Sequence, residues 1–169
     1  LAAAAADAAD DAPKQFSAVA YTGAAMSLRG FMLPTVVDLQ GVKVPSQVAP
    51  VLREHDPGRP IGHSESIDVS AQRIKVSGAL SHPGEDTDKV IAAGKKNYPW
   101  QTSIGLQVER VENFERGQTV KVNGKNFTGP LTVVRASTWR ELSFVTLGAD
   151  HNTSATLAAK LNEGDPMTF

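Results

Sequence analysis

Ser103-Ile-Gly-Leu-Gln-Val-Glu-Arg-Val111 decides the fold class. Ile104, Leu106 and Val108 recur at every second position, and Gly105, Gln107 and Glu109 fill the places between them. Successive side chains of an extended chain point to opposite sides, so this alternation predicts a half-buried strand with Ser103 on its polar face. Tyr98-Pro-Trp-Gln-Thr102 just before it reads as a loop, which places Ser103 at the strand's opening. Downstream, Val120-Lys-Val-Asn-Gly-Lys-Asn-Phe127 predicts a hairpin, because Asn123-Gly124 supplies the positive φ angles of a tight primed turn. Leu131 to Arg135 and Leu142 to Leu147 read as further strands, the second apolar on both faces and so buried. Upstream, Phe16 to Tyr21 and Ile74 to Leu80 alternate in the same way.

Two helices are expected between the strands. One covers Ser46 to Glu54, with Val48, Val51 and Leu52 on one face and Ser46 as its cap. The other starts at Asp86 or Thr87 and runs to Lys96, with acids at its start and lysines at its end, as the helix dipole favours. The sum is an α+β, mostly β domain of mainly antiparallel strands carrying a few helices. At 169 residues, 41% apolar and 21% charged, the chain is the size of one domain with a core of its own. Residues 1–13, rich in Ala and Asp and closed by Pro13, form an expected disordered leader. The domain is expected over 14–157, and 158–169 as a linker, cut from a longer precursor.

Composition narrows the chemistry. No cysteine is present, which removes a thiol protease, a cysteine zinc site and a disulfide framework. A net charge of -1 with scattered Lys and Arg argues against nucleic-acid binding. No apolar run reaches membrane-spanning length. Neither a Gly-x-Ser-x-Gly elbow nor a phosphate-binding loop occurs. The four histidines (His55, His63, His82 and His151) include no pair at the spacing of a helical zinc motif, though His55 and His63 flank a Pro-Gly turn and leave a metal site open. Peptide hydrolysis without cysteine then calls for Ser or Thr with His, a carboxylate pair or a metal. Ser103 at a strand start and His55 at a helix end are candidates. Their bland alternatives are a strand-edge hydroxyl and a histidine favoured by the helix dipole.

His55-Asp-x-x-x-Pro-Ile-Gly62, Thr102-Ser-Ile-Gly105 and Glu141-Leu-Ser-Phe-Val-Thr146 resemble, in order and rough spacing, three signature blocks of the tailed-bacteriophage prohead proteases. The likeness spans about residues 16 to 157. That family is similar in fold to the herpesvirus assemblins, which implies a β-barrel-like core flanked by helices. It further implies a serine endopeptidase that cleaves capsid and scaffold precursors, and itself, inside the assembling prohead in the bacterial cytoplasm. By the resemblance Ser103 is the nucleophile, His55 the general base and Glu141 the acid that orients the histidine. Asp56, Pro60, Ile61 and Gly62 would shape the turn. The resemblance implies no cofactor or metal and makes a homodimer reasonable. Its alternative is a structural head protein with an unused site.

Two departures bear on the third residue. An insertion-like hairpin, 118–129, lengthens the stretch before Glu141, and a slip of one residue after Trp139 would turn Glu141 to the other face. His63, Asp38 and Asp150 are its substitutes, and pairing of Glu141 with Arg135 or Arg140 is the bland reading. The backbone of Val134-Arg135-Ala136 is the expected oxyanion hole.

Overall fold

A computed structural model describes residues 14–158. The leader and all of the linker but Ala158 lie outside the described residues. Eleven strands and one α-helix follow in the order β1 (Lys14–Tyr21), β2 (Thr35–Val37), β3 (Val42–Lys43), β4 (Pro50–Arg53), β5 (Asp56–Val69), β6 (Ile74–Leu80), α1 (Glu85–Gly94), β7 (Gln101–Phe114), β8 (Thr119–Val122), β9 (Lys125–Thr128), β10 (Leu131–Val145) and β11 (Ser154–Ala158). A 3-10 turn, Leu39–Gly41, stands between β2 and β3. β11 therefore extends one residue into the segment expected as linker.

The main sheet runs β11-β1-β6-β5-β4-β10-β2, with β3 and β7 also paired to β10. Pairing is antiparallel except along one side of β10, where β2, β3 and β4 lie parallel to it in succession. The path is open, not a closed barrel, although a backbone bond from Ala155 N to Trp100 O (3.1 Å) joins the β11 end to the residue before β7. The two strands expected at 131–135 and 142–147 are one fifteen-residue strand, β10, kept continuous through Ala136 to Glu141 by β7 on its other side.

The helix expected over Ser46 to Glu54 is absent: its second half is β4. Pro50 explains the difference. In a helix it would take no bond from its missing N–H and would clash with Ser46, whereas the first position of a strand tolerates it. Val48, expected on the buried face, is exposed. The second helix forms as expected, shifted by a residue or two, and Glu85, Asp86 and Asp88 occupy its first turn. α1 buries Val90 against the sheet, and Arg59 of β5 holds Asp86 through Nε (3.0 Å) and Nη2 (2.5 Å).

The core fills the space between β1, β6 and the second half of β10. Phe16 meets Phe144 edge to face at 5.4 Å, and Trp100 meets Phe144 at 6.3 Å. The β8–β9 hairpin forms as read, with Asn123 and Gly124 at φ 53° and 74°. It makes its own small sheet and a second apolar cluster, where Val122 packs with Val36, Leu131 and Val133. Its tip is fastened to the 3-10 turn: Asn123 Oδ1 accepts from Leu39 N (2.9 Å) and Nδ2 donates to Val37 O (2.8 Å).

Candidate active site

β4 and β5 form a hairpin in which Arg53 pairs with Asp56, leaving Glu54 and His55 as a two-residue loop. Both have positive φ, 52° and 59°. Such a turn normally takes Asn or Gly, and each non-glycine residue there costs about 1–2 kcal/mol. β10 holds the turn in place. Glu54 N donates to Phe144 O (3.2 Å), Thr146 N donates to Glu54 Oε1 (3.0 Å), and His55 N donates to Ser143 Oγ (3.0 Å). His55 is thus displayed by a strained hairpin, not by a helix end as expected. Backbone outliers held by many partners are a recurrent mark of functional sites.

Glu141 reaches the same place through an irregularity in β10. Trp139 stands opposite Leu106 and Glu141 opposite Gly105, so Arg140 is the extra residue of a bulge. Without the bulge, Glu141 would share the core-facing side of Trp139. With it, Glu141 and Ser143 line up opposite Gly105 and Ser103, on one face of the β7–β10 pair. Glu141 Oε1 lies 2.6 Å from His55 Nδ1, and Ser143 Oγ donates to Glu141 Oε2 at 2.8 Å. The register change expected as a hazard is what brings the carboxylate to the histidine. Gly105 makes room for it, because a β-carbon at that position would collide with Glu141 Oε1.

The electrostatics follow from these bonds. The hydrogen bond to Glu141 raises the His55 pKa above 6.5, and partial burial opposes the rise. The Nδ1 contact assigns the Nδ1–H tautomer to neutral His55, which leaves the Nε2 lone pair free to take a proton. His55 and Ser103 line two adjoining cavities together. One, of about 360 Å³, also touches Glu54, His151 and the turn Leu147–Ala149. The other, of about 240 Å³, is lined also by Leu28, Phe31, Ile104, Leu106 and Val108.

The substitutes for Glu141 lie elsewhere. Asp38 binds Arg135 Nη1 (3.0 Å), and Asp150 accepts from Thr22 N and Oγ1 (both 2.7 Å). His63 Nδ1 contacts Ser81 Oγ at 2.6 Å, and Glu65 stands 3.9 Å from its Nε2. Arg135 takes Asp38 and Glu112 as partners, so the bland alternative of its pairing with Glu141 does not occur. Among the described residues no group of three or more potential metal ligands gathers, around His55 and His63 or elsewhere. Of the expected oxyanion-hole residues, Val134 lines the smaller cavity, while Leu147, Gly148 and Ala149 line the larger one with Ser103 and His55.

Sequence reasoning missed Ser143, Gly105 and Glu54. The first two had a signal: Ser103 and Gly105 are two apart, as are Glu141 and Ser143, the spacing that puts strand residues on one face. Leu28 and Arg29, which touch both cavities, carried none.

No protein-family model matches the chain, and no curated protein sequence matches it. Solved structures do. The crystal structure of the protease of the herpesvirus KSHV, in complex with a hexapeptide phosphonate inhibitor, aligns with 86% of this chain at a TM-score of 0.52 and 12% identity. The fold is assemblin-like. This chain spans 65% of the length of that protease. A second KSHV protease structure aligns over 88% of the chain with a TM-score of 0.42 and 12% identity. Among the described residues no helix is long and apolar enough to cross a membrane.

Proposed function

We propose that the protein is a serine endopeptidase with Ser103 as nucleophile, His55 as general base and Glu141 as the orienting acid. The observation that carries this reading is the His55–Glu141 bond, held by Ser143, at the mouth of cavities that Ser103 shares with His55. Binding a carboxylate at Nδ1 presents Nε2 as the base, the arrangement that acyl transfer by a serine requires.

The steps are these. Ser103 Oγ attacks the scissile carbonyl carbon as His55 Nε2 takes its proton, and the carbonyl π electrons move onto oxygen. The tetrahedral intermediate collapses, the C–N bond breaks, and His55 hands the proton to the departing amine. Water, deprotonated by the same nitrogen, then attacks the acyl carbon, the ester C–O bond breaks, and His55 returns the proton to Ser103 Oγ as the carboxylic acid product leaves. Glu141 keeps the ring in orientation and stabilises the imidazolium that forms twice in the cycle.

The three sequence blocks support substrates of one kind: capsid and scaffold precursors, and the chain's own precursor, cleaved within a viral prohead in the bacterial cytoplasm, with the enzyme acting as a homodimer. The competing reading, a structural head protein with an unused site, is separated by reactivity. A small fluorophosphonate should label the wild-type protein at Ser103, located by peptide mass spectrometry, and Ser103→Ala should fold, resist labelling and leave a co-expressed precursor uncut. Complete processing by Ser103→Ala would remove Ser103 from the mechanism.

A further inference from the structure

The two cavities that meet at Ser103 and His55 differ in character. Leu28, Arg29, His55 and Ser103 belong to both and form the neck between them. On one side the walls are mixed, with Glu54 and His151 beside Val145, Leu147 and Ala149. On the other, beyond the neck, every wall is apolar: Met26, Phe31, Ile104, Leu106, Val108 and the buried Val37 and Val134. Val108 in this lining is 41% exposed. A charged side chain seated beyond the neck, past Arg29, would lose its water among apolar walls, while a large apolar one would shed water from both surfaces.

We propose that this apolar cavity is a specificity subsite, which selects polypeptide segments with a large apolar side chain (Leu, Ile, Met or Phe) on one fixed side of the scissile bond. The proposal rests on Ser103 being the nucleophile. Its volume of about 240 Å³ suits a side chain or two, not a folded ligand. Reach sets the position. From Ser103 to Val108 a strand advances about 17 Å at roughly 3.4 Å per residue, so an extended substrate lying along it spans about five residues. The anchor therefore falls within about five residues of the cut. The mixed cavity across the neck places no such demand on the other side of the bond.

The test uses the full chain and a mixture of unstructured peptides, with cut sites read by mass spectrometry. Cut sites should share a large apolar residue at one position within five residues of the bond, and replacing it by Ala in a single peptide should lower kcat/KM about 10-fold or more. Val108→Glu, at an exposed position, and Phe31→Ala, on a loop, should raise KM for that peptide by a larger factor than they lower kcat. Their folding is checked by circular dichroism. Cutting with no apolar preference, or with KM unchanged in both folded variants, would overturn the subsite. Fluorophosphonate labelling of the wild-type chain reports the nucleophile separately: labelling with no apolar preference defeats the subsite alone, whereas neither labelling nor cleavage defeats the proposed function and the subsite with it.

Discussion

His55 has to be neutral to act as a base, yet its bond to Glu141 favours the charged ring. The activity of the proposed enzyme should therefore fall with acidification through an apparent pKa above 6.5, the ordinary histidine value. Glu141→Gln should move that limb down in pH and reduce kcat/KM by up to about 10⁴-fold, as a lost orienting carboxylate does; a pH–rate profile of both proteins checks this. The same shift acts on stability in the opposite sense. The folded pKa of His55 exceeds the unfolded one, so its contribution is complete below about 6.5 and disappears as pH rises through the folded value. Gly105→Ala should leave the fold intact but push Glu141 off the histidine, at a cost of about 10²-fold in kcat/KM for a displacement on the order of 1 Å. Ser143→Ala leaves the His55 N–H and one Glu141 oxygen without their hydroxyl partner in a part-buried spot and should lower unfolding free energy by about 1 kcal/mol in urea titrations.

The elements divide cleanly into those that pattern alone reveals and those that pairing imposes. The strands β6 and β7 and the Asn123-Gly124 turn were legible because each is a local fact of the chain, but the expected half-burial of β7 fails from Gln107 to Asn113, where both faces are exposed. β4 was not. Val48, Val51 and Leu52 fit a helical stripe as well as a strand, and what decides between them is Pro50 together with pairing to β5 and β10, which lie elsewhere in the sequence. The bulge at Arg140 was visible only as an ambiguity of one residue, because a bulge is defined by its partner strand. Deleting Arg140, the extra residue, should close the bulge while Glu141 stays opposite Gly105 on the outer face, so we expect the acid limb of the pH–rate profile to survive the deletion. Asn123→Ala should unfasten the β8–β9 tip from the 3-10 turn and destabilise the protein by about 1–3 kcal/mol, with little effect on the pH profile.

At the scale of the whole molecule, fold and site meet on β10. Its inner face carries Leu142 and Phe144 into the core, and its outer face carries Glu141 and Ser143 to the histidine. Phe144→Ala should cost about 3–5 kcal/mol, since the ring packs against both Phe16 and Trp100, and chemical denaturation measures it directly. β10 pairs with β2, β3, β4 and β7, yet among these strands it comes last in the chain. This order bears on timing during translation. A nascent polypeptide on the ribosome already holds His55 and Ser103 when β7 has emerged, but the ring has no carboxylate to orient it and the turn that displays it has no clamp. Only after Val145 has left the exit tunnel can those parts come together, so the proposed site stays incomplete on the nascent chain until the whole of β10 is out.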